Sequence, residues 1–149
     1  MPHIPHPHYG LRRGLQTLCI TWISFTLCIL ILDLLFFAGL TQNFYLTAFA
    51  GQFNINNIYW PAAGLSYALY SIVLTGFAVV GAHNPQQATH RGGITGLFVC
   101  GIYELTNWAV IANWPSNMIF VGMLLGGIAT GISSRIAFFA YARIRPTAA

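Results

Sequence analysis

The sequence predicts an all-helical integral membrane protein, a four-helix bundle with both termini in the cytoplasm. Of its 149 residues, 56% are hydrophobic and only 5% are charged, whereas soluble domains carry about a quarter charged residues. Four apolar stretches are long enough to cross a hydrocarbon core of about 30 Å. The basic residues all fall on one side of such a four-span arrangement. These three observations exclude a soluble domain and indicate a multi-pass membrane protein.

The four predicted spans form one transmembrane domain over residues 15–141. A flexible cytoplasmic tail of residues 1–14 precedes it, and a short cytoplasmic tail of residues 142–149 follows it. The spans themselves are residues 15–40, 60–82, 93–112 and 118–141. Because the connectors are short, no separate soluble domain is expected. We therefore predict that the protein acts in or at the bilayer, which in a bacterium would be the inner membrane.

Arginine residues predict the orientation, because positive charge is retained in cytoplasmic loops. The chain has six basic residues and no lysine. They lie before the first span, between the second and third, and at the end of the fourth: Arg12, Arg13, Arg91, Arg135, Arg143 and Arg145. The loops over residues 41–59 and 113–117 are uncharged. The net charge of +4 thus reflects topology and an anionic inner leaflet, not a nucleic-acid partner.

The first span follows an arginine pair and could be mistaken for a secretory or twin-arginine signal. Its apolar run of about 26 residues exceeds a signal core, and no cleavage site is evident, which favours a retained anchor. The preceding segment places three histidines among prolines. His3, His6 and His8 could bind a metal or a headgroup, but alternating prolines disfavour a helix. We expect a disordered, extended arm.

No cofactor or metal site is predicted within the spans. Cys19, Cys28 and Cys100 lie inside them without the spacing of a zinc site or a disulfide framework, so they are interpreted as small packing residues.

Two acidic residues, Asp33 and Glu104, are the only ones in the chain, and both lie inside predicted spans. An uncompensated charge there costs about 2.5–3.5 kcal/mol or more. Counting from the outer ends of their spans places both carboxyls about 10–12 Å below the outer interface. The dipeptides Asp33-Leu34 and Glu104-Leu105 begin similar local patterns, which suggests a parallel duplication of a two-helix unit. In such a repeat the two acids would face each other.

Polar neighbours at this depth predict a binding site. Tyr67 and Tyr70 are three residues apart and therefore share one face of the second span. The predicted site comprises Asp33, Tyr67, Tyr70, Tyr103, Glu104 and Asn107, with no catalytic or metal-ligating residue. In one interpretation, uncharged carboxyls only join helices by hydrogen bonds worth about 0.6 kcal/mol each. In the other, they bind a cation, an amine headgroup or a proton in transit.

Small residues at spacings of four predict close helix packing. Gly122, Gly126 and Thr130 form one row on the fourth span, and Gly127 and Gly131 form another. A row of Gly92, Gly96 and Cys100 on the third span is its candidate partner. Packing within the chain and a dimer face are both compatible with these rows. Tyr59, Trp60, Trp108 and Trp114 are interpreted as outer interfacial anchors.

Several segments resemble a bacterial family of small four-span proteins, domain of unknown function 2177. The most specific of them is "YELTNWAVIANWP" at residues 103–115, with Gly126 eleven residues after Pro115. Earlier matching segments are "LDLLFFAGL", "NFY" with a glycine six residues after its tyrosine, and "YALY". The resemblance spans roughly residues 32–127.

The resemblance implies a four-span fold and a set of motif positions, but no established biochemistry. The positions that match are Asp33, Tyr67, Tyr70, Glu104, Thr106, Asn107, Trp114 and Pro115. The chain departs from the pattern in three places: Glu104 stands where the family usually has Asp, Gly122 where it has another Asp, and Leu125 where it has Trp. The lost acid weakens any argument for three-carboxylate chemistry.

Three functions follow as hypotheses. The first is a membrane binding or transport module that takes a cation, a protonatable solute or a lipid headgroup. The second is a structural subunit that forms a homodimer or a larger membrane complex through its glycine rows. The third is a lipid-modifying enzyme, although no histidine lies in the spans to activate a serine nucleophile, and HExxH, GxSxG and phosphate-loop motifs do not occur.

Overall fold

The computed structural model describes residues 7–43, 47, 58–112 and 114–145. The fold within these residues consists of four long helices without a strand. Helix α1 covers Pro7–Phe36 and continues in π-helical geometry over Phe37–Thr41. Helix α2 covers Trp60–Leu74 and continues likewise over Thr75–Val80. Helix α3 covers Pro85–Val110, and α4 covers Ser116–Ile144. The all-helical membrane fold predicted from the sequence is confirmed.

Among the described residues, three helical segments are long and apolar enough to cross a membrane: Gly14–Gly39, Trp60–Val80 and Ser116–Ile144. Helix α3 has sufficient length, 26 residues, but is not among them. Polar residues at its start and Glu104 and Asn107 near its end lower its apolar character. The protein is an integral membrane protein, and the third predicted span, residues 93–112, remains a prediction.

Helix α1 begins at Pro7, eight residues before the predicted first span. Residues 7–14 are therefore helical, whereas the sequence suggested a flexible tail. His3 and His6 lie outside the described residues, and so does the side chain of His8.

Helix α1 places one row of residues against the rest of the protein. Thr17, Thr21, Phe25 and Ile29 recur every four residues and are all at most 5% exposed. Large apolar residues on the opposite side, such as Leu27 and Ile31, are exposed, as expected for a lipid-facing surface. Four residues after Ile29 the row reaches Asp33, so this carboxyl lies on the packed side of the helix.

All four helices contribute to a single apolar core. The buried core includes Phe25 and Ile29 of α1, Leu74 of α2, Ala88 of α3 and Phe138 of α4. Helices α3 and α4 form the most extensive helix pair, and α1 packs next most closely against α4. Helix α4 thus lies centrally and brings the other helices together.

The two ends of the described chain lie at the same end of the molecule. The Thr17 hydroxyl of α1 donates to the backbone oxygen of Ile144 at the end of α4, at 3.3 Å. A shared side for the start of α1 and the end of α4 agrees with the arginine pattern, and the cytoplasmic location of that side remains a prediction.

Candidate intramembrane carboxyl site

The α3–α4 interface is an antiparallel contact between rows of small residues. Gly92 faces Ser134, Gly96 faces Thr130, Cys100 faces Gly126 and Glu104 faces Gly122. A methyl group on Gly96 would lie 2.5 Å from Thr130 Oγ1 and 2.7 Å from the Gly126 backbone oxygen. Glycine is thus required at Gly96 by close helix approach.

The second row of glycines on α4 also packs within the chain. A methyl group on Gly127 would lie 3.2 Å from the backbone oxygen of Gly93, and one on Gly131 would lie 3.2 Å from that of Thr89. Both α4 glycines are buried. The structure therefore places all four glycines singled out for packing, Gly122, Gly126, Gly127 and Gly131, against α3.

Asp33 makes its hydrogen bond to the neighbouring helix. The Tyr67 hydroxyl of α2 donates to Asp33 Oδ2 at 2.9 Å. Asp33 is only partly exposed, on the packed side of α1 at the end of the row described above. The structure therefore brings together these two predicted site residues.

Tyr70 lies one helical turn from Tyr67 and contacts α4. Its hydroxyl is 2.7 Å from Thr130 Oγ1, and either atom could donate. The Cys100 thiol of α3 lies in the same electrostatic environment and interacts with Tyr70, Asp33 and Glu104. Cys100 and Thr130 therefore join the predicted carboxyl and tyrosine residues in one polar cluster.

Glu104 occupies a tighter environment than Asp33. It is 3% exposed, and its Oε2 accepts a hydrogen bond from Trp114 Nε1 at 3.1 Å. A methyl group on Gly122 would overlap the Glu104 side chain, at 2.8 Å from Cδ. Glu104 therefore fills the space between α3 and α4 that the glycine leaves open.

Tyr103 and Asn107 do not join the polar cluster by hydrogen bonds among the described residues. Tyr103 is 60% exposed, and its ring packs edge-on against Trp114 with centroids 6.4 Å apart. The Asn107 amide nitrogen is buried without a hydrogen-bond partner among the described residues. Neither residue contacts Asp33 through a hydrogen bond in this part of the chain.

Residues 18–139 match the family described as predicted membrane protein, DUF2177. This chain belongs to the DUF2177 family. Searches of curated proteins and of solved structures gave no match.

The geometry relates two departures of this DUF2177 protein from the motif that the resemblance implies. The resemblance implies the shorter Asp at the position of Glu104 and a second Asp at that of Gly122. Here the longer acid extends over the glycine, and any side chain at residue 122 would overlap it. The two departures are therefore complementary in volume.

Sequence reasoning missed three contributors to the DUF2177 cluster. Trp114 was interpreted as an interfacial anchor, Thr130 as a small packing residue and Cys100 as a packing thiol. Trp114 and Thr130 each hydrogen bond a predicted site residue, and Cys100 interacts electrostatically with such residues. The spacing of four from Cys100 to Glu104 is a signal that places the thiol on the acid's face. The Trp114 contact depends on the path of the α3–α4 connector, which the sequence pattern does not define.

Proposed function

We propose that the protein binds a cationic or protonatable solute within the membrane, with Asp33 as the anionic contact, as a binding or transport module. The observation that carries this proposal is the unequal use of the two Asp33 oxygens. Oδ2 accepts the Tyr67 hydrogen bond, whereas Oδ1 has no hydrogen-bond partner among the described residues. One oxygen is held in place and the other is available to a ligand.

The absence of a balancing charge near Asp33 among the described residues supports its assignment as the anionic contact. Within the described residues Asp33 forms no ion pair with an arginine, and its electrostatic partners are Tyr67, Tyr70 and Cys100. A carboxylate in a span is stabilised by an opposite charge or by hydrogen bonds. A bound cation would supply the charge, and the Tyr67 hydroxyl would position the carboxylate.

Glu104 has a different role in this proposal. Because it is almost fully buried between α3 and α4 and holds Trp114, we assign it to positioning and not to ligand contact. The structural-subunit alternative receives less support, since the glycine rows that it would use pack within the chain. Assembly with partners would require other surfaces.

Native mass spectrometry of the purified protein tests the proposal through matched acid variants. Asp33→Asn keeps an oxygen that can accept from Tyr67 but removes the charge, and Glu104→Gln does the same at the other acid. We expect a small-molecule adduct on the wild type and on Glu104→Gln, and its loss from Asp33→Asn. Retention of the adduct by Asp33→Asn, or a wild type without an adduct, would overturn the assignment.

A second measurement does not depend on copurification. Tetraphenylphosphonium, a membrane-permeant cation, can be titrated against the reconstituted protein while binding is followed by calorimetry. Binding that Asp33→Asn abolishes and Glu104→Gln preserves supports the proposal. Equal binding by both variants contradicts it.

A further inference from the structure

A cavity of about 710 Å³ lies between the end of α2 and the first turns of α3. Its polar wall includes His83, Gln86, His90 and Arg91, and its apolar wall includes Phe77 and Ile94. None of these residues belongs to the carboxyl site. The cavity lies at the end of the molecule where the arginine pattern predicts the cytoplasm.

The short connector before α3 is held in a defined shape. The Asn84 side chain accepts from the backbone N–H of Gln87 at 2.8 Å and so caps α3. The Gln87 side-chain oxygen accepts from the backbone N–H of His83 at 2.7 Å. These two bonds fix the polar wall, because together they tie the connector to the first turn of the helix.

Arg91 is positioned by contacts that, within the described part of the chain, use only one of its guanidinium nitrogens as a hydrogen-bond donor. Its Nη1 donates to the backbone oxygen of Gly81 at 2.6 Å, and its guanidinium carbon lies 6.0 Å from the centre of the Phe77 ring. A guanidinium has five N–H donors in a planar fork that suits a phosphate. The arginine is therefore oriented before any ligand arrives.

The positive charge of Arg91 in this cavity is not balanced by an acidic residue of the chain. Its wall contains no acidic residue, since the only two acids of the protein are Asp33 and Glu104. An anion is the complementary ligand, and the N-terminal end of α3 adds a favourable dipole.

The apolar wall of the cavity favours a phospholipid over a free anion as the ligand. Phe77 is 57% exposed and Ile94 is 60% exposed, and both border the cavity beside its polar wall. A phospholipid can place its phosphate on Arg91 and its acyl chains along these two side chains. Free phosphate would use only the polar half.

We propose that this cavity binds the phosphate headgroup of an anionic phospholipid from the adjacent leaflet, with Arg91 as the principal contact. The test is native mass spectrometry of the detergent-solubilised full chain titrated with phosphatidylglycerol and, separately, phosphatidylcholine of the same acyl chains. We expect preferential phosphatidylglycerol adducts on the wild type. Arg91→Ala should reduce them at least about fivefold, because one arginine near a membrane surface contributes about that factor.

Arg135→Ala is the matched control for this change. Arg135 is exposed and, like Arg91, lies near an aromatic ring, with its guanidinium carbon 5.9 Å from the centre of the Phe139 ring, but it does not line the cavity. We expect its phosphatidylglycerol adducts to match those of the wild type. An equal loss in both variants would show a general surface charge effect and overturn the proposal.

A second variant guards against misfolding of Arg91→Ala, since that change also removes the bond to Gly81. Gln86→Glu adds a negative charge to the exposed wall of the cavity in the first turn of α3, where an acid favours the helix. It should weaken phosphatidylglycerol binding, whereas Gln16→Glu, an exposed glutamine of α1 outside the cavity, should not. Unchanged binding by Gln86→Glu would contradict the site.

Inorganic phosphate provides the remaining arm of the experiment. A lipid site should retain phosphatidylglycerol in excess inorganic phosphate, because the acyl chains contribute through Phe77 and Ile94. Complete displacement by inorganic phosphate would identify a free-anion site and overturn the lipid assignment. Equal adducts with phosphatidylcholine and phosphatidylglycerol would also overturn it.

Discussion

Tyr70 of α2 and Thr130 of α4 have their hydroxyl oxygens 2.7 Å apart, and Thr130 is completely buried. The same Thr130 oxygen faces Gly96 of α3, where a methyl group would approach it to 2.5 Å. One threonine thus contacts two other helices through a single polar atom. Its position explains how a polar residue in the bilayer region fixes the relative rotation of three helices.

The Tyr70–Thr130 hydrogen bond can be measured by a double-mutant cycle. Tyr70→Phe and Thr130→Ala should show a coupling of about 0.6 kcal/mol, and at most about 1.7 kcal/mol, in the free energy of unfolding. Steric trapping in bicelles would measure it. Strictly additive single and double variants would show that the two hydroxyls do not interact.

Gly96→Ala should destabilise the protein through overpacking at the α3–α4 interface. The added methyl group would meet both Thr130 and the Gly126 backbone oxygen, and such crowding costs about 1–3 kcal/mol. Gly64→Ala is the matched control, since a methyl group there would have no atom of another helix within 4 Å among the described residues. The comparison uses the free energy of unfolding, and equal stabilities for both variants would contradict the close approach.

Gly122→Ala should be destabilising alone and tolerated together with Glu104→Asp. The alanine methyl group would overlap the Glu104 side chain, and shortening that side chain by one methylene relieves part of this overlap, because Oε1 is the atom that approaches the methyl group most closely. We expect the double variant to recover at least half of the stability lost by Gly122→Ala. Thermal unfolding in detergent measures the recovery, which would be absent if the two residues did not share the space.

Trp22→Phe should weaken the α1–α2 contact. Trp22 Nε1 donates to Ser71 Oγ at 2.7 Å, and interhelical bonds of this kind contribute about 0.6–1.7 kcal/mol. Trp60→Phe serves as the control because Trp60 is 70% exposed. The readout is the free energy of unfolding of the two variants, and a loss no greater than that of the control would argue against the bond.

The limits of sequence reasoning are visible at the helix ends. The start of α2 at Trp60 coincides with the predicted span, and α2 continues to Val80, because lipid thickness limits the apolar run. Helix α3 starts at Pro85, eight residues before its apolar part. Its first turns are polar, so hydropathy does not detect them, although Asn84 followed by Pro85 is a helix-start pattern.

The sequence likewise predicts only part of the polar cluster. Spacings of three and four residues placed Tyr67 and Tyr70 on one face and predicted the small-residue rows of α3 and α4. The same spacings do not predict how the faces of different helices meet. The contact of Glu104 with Trp114, rather than with Asp33 or a tyrosine, depends on helix rotation and on the connector.

The small and polar residues of α3 that pack against α4 affect how α3 inserts into the membrane. Ribosomes deliver α3 before α4, yet α4 supplies the surface against which Gly92, Gly96 and Glu104 are buried. Helix α3 is less apolar than the other three, so it is poorly suited to partition into lipid alone. We expect chains truncated at Val110 to leave α3 outside the bilayer in a glycosylation-mapping assay, and chains extended through α4 to insert both helices together as a hairpin.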